Sequence, residues 1–167
     1  LRTFDPAASR APAVEPADRA LLARLSLAGR AWPASRVSAF GALGSLSRLE
    51  LSSAVRVAGD LVLVGAPIDG DVEDARATAA ALARVFADDA WAHARAARLL
   101  ARAGDAAAAE VALVRAVTLA DDVNARADLW ALWTALIDTL PINTRQDYRL
   151  HTTEIALAHS NTNPASL

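Results

Sequence analysis

Arg95, Arg98 and Arg102 recur at intervals of three and four residues, so a helix would carry all three guanidinium groups along one face. Such a row can receive a carboxylate or an acidic peptide, because each guanidinium offers a planar fork of donors to an anion. Trp91 stands four residues before Arg95 and would add a stacking surface beside the row. Trp91, Arg95, Arg98 and Arg102 are therefore the candidate partner-binding residues. The plainer reading of the same spacing is a solvated arginine face that pairs with nearby Asp and Glu.

Other chemistries find less support. His151 and Glu154 lie three residues apart and could share a helix face, but His159 is eight residues from His151. Two ligands on one helix, with no second set elsewhere, make a poor metal site. The run Gly41-Ala42-Leu43-Gly44-Ser45 lacks the lysine and the spacing of a phosphate loop. No Ser-His-Asp grouping stands out, and helix caps account for the many carboxylates. Trp130 and Trp133 fall on a face with Leu129, Leu136, Ile137 and Leu140, where core is the expected role and a partner anchor the alternative. No catalytic, cofactor-binding or metal-ligating residue is expected, and the chain is read as a non-enzyme. The alternative is a helical module of an enzyme whose active site is not visible in the sequence. A pocket gathering His93, His151 or His159 with two carboxylates would favour it.

Composition narrows the partner. Hydrophobic residues make up 54% of the 167 and charged residues 22%, which is apolar for a free domain even after allowing for alanine. That points to a surface partly covered by another protein. A net charge of −2 gives no electrostatic reason to expect nucleic acid or an anionic membrane. The chain has no cysteine, hence neither disulfide framework nor thiolate chemistry. All the basic residues are Arg, which together with the alanine content reads as GC-rich bacterial coding. No apolar run approaches the roughly 18 residues of a membrane span. The sequence starts at Leu1 with no initiator methionine or signal peptide, so a removed leader or anchor, or a longer parent chain, is expected. Cell envelope, periplasm or membrane association is favoured over cytoplasm, with a multi-subunit or membrane-associated complex among the expected assemblies.

The elements that must position these residues follow from periodicity and punctuation. Residues 1–16 hold Pro6, Pro12 and Pro16 and read as an extended arm. Residues 17–160 read as one helical domain, and residues 161–167 as a frayed end. Leu21, Leu22, Leu25 and Ala28 predict a helix over 17–32, stopped by Pro33. A second helical stretch begins near Ser35, with Val37, Phe40, Leu43, Leu46 and Leu49 mostly on one face. Residues 52–67 have β character, yet no partner strand is evident, so an irregular helix ending at Gly65 or Pro67 is expected. Helices are then predicted over 71–86 with Asp71 as N-cap, from Asp88 or Asp89 to Gly104, and from Asp105 to Asp121-Asp122. The last two are 125–140, ended by Pro141, and a final helix from Asn143 or Thr144 to His159.

Gly70-Asp71 with Ala75, and Gly104-Asp105 with Ala109, repeat one pattern 34 residues apart. Within 90–123, small residues Ala96 and Ala97 precede the Gly104-Asp105 turn, and Ala109, Leu113, Ala116 and Leu119 follow it. This unit resembles a tetratricopeptide repeat. It departs from the family at Asp121, where proline is usual, and in its scarcity of large aromatic residues. The resemblance covers about half the chain, best over 90–123. It implies an all-α fold of antiparallel helical hairpins stacked in an array, whose first helices line a concave groove. Arg98 and Arg102 fall on positions of that kind. The implied function is non-catalytic protein binding, as an adaptor or as an accessory or structural subunit of a larger bacterial assembly.

Overall fold

A computed structural model describes residues 15–40, 43–120, 123–137 and 145. The fold is mostly helical with one small sheet, and the chain divides between Ala87 and Asp88 into two compact units.

In the first unit, α1 (Pro16–Ala28) begins with proline in its first turn, where a missing N–H costs nothing, and ends at Gly29. It stops four residues earlier than the periodicity predicts, and Trp32 is not helical. Trp32-Pro33 instead forms a two-residue strand, β1, followed by a 3-10 helix, Ala34–Phe40. Next come α2 (Leu43–Leu51), β2 (Val55–Ala58), β3 (Leu61–Val64) and α3 (Val72–Val85).

The irregular helix expected over 52–67 is a β-hairpin. Val57 pairs with Val62 and Ala58 with Leu61, leaving Gly59-Asp60 as a two-residue turn. Gly59 has φ 61°, the glycine-first geometry such a turn favours. The missing third strand is β1, which lies antiparallel to β3 with Trp32 opposite Val62 and gives the order β1-β3-β2. Pro33, unable to donate, sits on an edge strand where that does little harm. Asp60 fastens the hairpin to the start of the 3-10 helix. It accepts from the Ser35 N–H at 2.9 Å and the Ser35 hydroxyl at 3.0 Å. Alternation is blurred in the sequence because the outward face also carries apolar Leu61 and Leu63, while Val55 and Val62 point into the core.

Helix α1 packs on α2 and α3, and α3 on the 3-10 helix. Leu21, Leu25, Val37, Leu49, Val62 and Leu82 are among the large aliphatic residues buried there. Trp32 is fully buried, 4.3 Å from the Phe40 ring and 5.3 Å edge-on from that of Phe86. Arg30 stacks its guanidinium 4.0 Å over Phe86. Ion pairs join distant segments, among them Arg24–Asp74, Arg48–Asp18 and Arg48–Glu15. Arg48 grips buried Asp18 by donating from Nε at 2.8 Å and from Nη2 at 2.6 Å, and Arg24 donates to Asp74 at 3.0 Å and to the Phe40 carbonyl at 2.9 Å.

The second unit holds α4 (Ala90–Arg102), α5 (Ala106–Leu119) and α6 (Val123–Ile137). Two helices of this length that pack together across a three-residue connection must run antiparallel. Asp89 caps α4 by accepting from Ala92 N–H at 3.0 Å, and Asp105 caps α5 from Ala108 N–H at 3.1 Å. Between them Gly104 takes φ 77°, the left-handed stop a side chain would strain. The core interleaves Ala94, Ala97, Ala109 and Ala116 with Leu113, Val117, Leu129, Trp133 and Ile137. Alanine at the α4–α5 seam lets the backbones approach closely, and the larger residues fill the space toward α6. Arg126 on α6 donates to the Ala120 carbonyl at 2.9 Å, satisfying an oxygen just past the end of α5.

Trp133 is 1% exposed in this core, with Leu129 and Ile137 one turn to either side, as the expectation of a core face requires. Trp130 is partly buried against the same cluster. Of the extended arm expected over 1–16, residues 1–14 lie outside the described residues, while Glu15 is the N-cap of α1 and Pro16 its first residue, so the helix begins inside the expected arm. The helix expected from Asn143 or Thr144 to His159, apart from Arg145, and the end at 161–167 also lie outside the described residues. His151, Glu154 and His159 lie there too.

Candidate functional site

The candidate residues begin on the first turn of α4. Its N-cap Asp89 fixes where the helix starts, and the 3.6-residue period then decides which side chains share a face. Ala92, Ala96 and Leu99 are buried, which leaves Trp91 and Arg98 outside, with Arg95 between them and half-buried. Trp91 is 57% exposed, a large apolar surface for a single side chain.

Trp91, Ala94, Arg95 and Arg98 form one wall of an open cleft of about 280 Å³, and Asp128 and Leu132 of α6 form the other. Three of the four residues singled out by spacing are thus brought together. The fourth, Arg102, lies on the last turn of α4 and does not line the cleft. It is nevertheless close enough to act on Arg95. Burial lowers the Arg95 guanidinium from its ordinary value, and the positive charges of Arg98 and Arg102 lower it further. An arginine so shifted is still cationic at neutral pH. Three cations within one stretch of helix make α4 the positive side of the cleft, and Asp128 makes α6 the negative side.

Asp128 and Leu132 are the lining residues that spacing on the α4 segment could not supply. They stand four apart, so they share the α6 face that also meets the cleft. A hint was present in the sequence, since Leu129, Trp133 and Ile137 define the buried stripe and place Asp128 and Leu132 beside it.

The cleft offers one exposed indole, cationic side chains and one carboxylate, and it holds neither a histidine nor a hydroxyl nucleophile. His93 is buried on α4 and does not line it. Among the described residues no group of three His, Cys, Asp or Glu side chains is arranged to hold a metal ion. Among them, too, no helix is long and apolar enough to cross a membrane.

No family model, no curated protein and no solved structure matches the chain.

Proposed function

We propose that the chain is a non-catalytic protein-binding module, an adaptor or an accessory subunit of a larger assembly, that docks its partner in the α4–α6 cleft. The observation that carries this reading is Trp91, 57% exposed at the mouth of a cleft that also presents Arg95 and Arg98. Exposed tryptophan beside arginine is the composition of an interface centre, because both bury large areas and still make oriented contacts. Affinity comes from covering the Trp91 ring and Leu132, and selectivity from the arginine wall facing Asp128.

The second unit is read as one tetratricopeptide-like hairpin, α4–α5, followed by the first helix of the next unit, α6. Buried Ala96, Ala97, Ala109 and Ala116 at the helix seam support this reading, as does the Gly104-Asp105 turn. In such a hairpin α4 is the groove-lining helix, which agrees with where the exposed indole and arginines stand.

The test is native isolation of the full chain from its source, with the mass of the particle and its other components recorded. The expected result is a partner of fixed identity recovered with the natural chain and lost from a Trp91→Ala, Arg98→Ala double variant whose thermal melt is unchanged. Both side chains are exposed, so the fold should tolerate their removal. Equal recovery of the partner by the double variant would remove the cleft from the account. Conversion of a substrate by the purified chain alone would replace binding with catalysis.

A further inference from the structure

The α4–α6 cleft sets an indole, an alanine and a leucine beside two arginines and one aspartate, and that mixture restricts what it can hold. Trp91, Arg95 and Arg98 follow one another by about one turn each on the lining face of α4. At ~1.5 Å per residue, Trp91 and Arg98 are roughly 10 Å apart along the helix axis. An extended peptide covers that span in about three residues. Trp91 and Arg98 are both exposed, and among the described residues no hydrogen bond or ion pair ties Arg98 down.

Charge decides which end of a ligand goes where. Arg95 is half-buried, and its charged guanidinium is disfavoured by burial and by the charges of Arg98 and Arg102. A carboxylate arriving at Arg98 relieves that crowding of like charge. Asp128 on the facing wall acts in the opposite sense. It repels a ligand that is anionic throughout, so a polyphosphate or nucleic acid backbone fits poorly, whereas a segment with one carboxylate and an uncharged remainder does not meet that penalty. The indole of Trp91 and the side chain of Leu132 leave an apolar seat for the rest.

Accepting that the chain is a protein-binding module, we infer that this cleft takes an extended protein segment in which an Asp or Glu lies two or three residues from a large apolar side chain. The apolar group covers Trp91 and the carboxylate meets Arg98.

The test uses the full chain and short blocked peptides flanked by glycine and serine. One carries Leu-Gly-Gly-Glu, a second has lysine for the glutamate, a third has serine for the leucine, and inorganic tripolyphosphate serves as the anion control. Binding is followed by fluorescence anisotropy and by the indole N–H resonance of Trp91, assigned with Trp91→Phe. The acidic peptide should bind at least about tenfold tighter than the lysine peptide, as a charge-assisted hydrogen bond allows. Arg98→Gln should erase that preference, Arg98→Glu should reverse it toward lysine, and Trp91→Ala should erase the preference for leucine over serine. An unchanged circular dichroism melt establishes that each variant is folded. Equal binding of the acidic and basic peptides, absence of binding by both, or tighter binding of tripolyphosphate would overturn the inference. If the native partner still depends on Trp91 and Arg98 while the peptides show no charge preference, the inference alone falls. If the partner is indifferent to both residues, the docking site itself falls with it.

Discussion

In the unit ending at Ala87, Arg24, Arg48 and Ser35 each reach an acidic side chain on a different element, across 50, 30 and 25 residues of sequence. In the unit beginning at Asp88 the seam between α4 and α5 is closed by alanine, and, apart from Leu99 of α4, the large buried aliphatic and aromatic residues come from one stripe of each of α5 and α6. The first unit is specified by directional contacts between distant segments, the second by the period of small and large residues along consecutive helices. The difference matters for function as well. A seam of alanines needs no polar side chain to hold it, and Trp91 and Arg98 of α4 are exposed.

The same contrast is visible in two sequence-identical dipeptides. Gly70-Asp71 and Gly104-Asp105 both place the aspartate as an N-cap, and both bury the alanine four residues on. The glycines differ. Gly104 is required for its left-handed backbone, with open space where a Cβ would go. Gly70 is required for its lack of a side chain, since a Cβ there would stand 2.6 Å from a Leu27 methyl and 3.0 Å from the Asp74 Cβ.

The comparison can be tested by removing what each unit is said to rely on. The largest effect is expected from Trp133→Ala, which should cost about 3–5 kcal/mol in a urea titration because it empties the centre of the α4–α6 core. A loss below about 1 kcal/mol would mean that α6 is not packed as described. Next is Gly70→Ala, which overpacks the α1–α3 contact and should cost about 1–3 kcal/mol. Leu27→Ala in the same chain should recover part of that loss, giving a favourable coupling in a double-mutant cycle. Gly104→Ala should cost roughly 1–2 kcal/mol by backbone strain alone, and Gly104→Asn less, because asparagine tolerates the left-handed region. If the costs at the two glycines respond to the same second-site change, the distinction between them is wrong.

The smallest effect separates the units by pH. Hydrogen bonds from Arg48 and Ser45 hold the Asp18 carboxyl below its ordinary value. A carboxyl lowered in the folded state adds stability above its unfolded pKa, near ~3.9. That stability disappears as the pH falls from there through the lowered folded value. Asp18→Asn should therefore flatten the acid limb of the stability curve while leaving the slope near neutrality unchanged. An acid limb identical in the natural chain and the variant would show that the Arg48 pair contributes nothing.

Much of the second unit was legible in the sequence. Asp89, Asp105 and Gly104 mark helix ends by local chemistry, and Trp133 declares a core face by its spacing with Leu129 and Ile137. Arg95, Arg98 and Arg102 were placed on one face by the same period, with Trp91 beside them, and of these four Arg102 does not line the cleft. What periodicity on a single helix could not reach was the opposite wall, because Asp128 and Leu132 join the cleft only once α6 packs on α4. The first unit was harder for the same reason. Trp32 reads as the end of a helix until Val62 is placed opposite it, and the hairpin reads as an apolar run because Leu61 and Leu63 sit on its outer face. Nothing local announces that Asp18 will meet Arg48, since both residue types are at home on a solvated helix.

The measurement closest to the central claim is an NMR titration of the full chain with its isolated native partner, following tryptophan indole and leucine methyl resonances together. The account predicts that the Trp91 indole and the Leu132 methyls shift first and saturate together, while the buried Trp32 and Trp133 indoles and the exposed Leu61 and Leu63 methyls stay in place. Shifts centred on Leu61 and Leu63, with Trp91 unmoved, would contradict it and move the binding surface to the outer face of the β-hairpin.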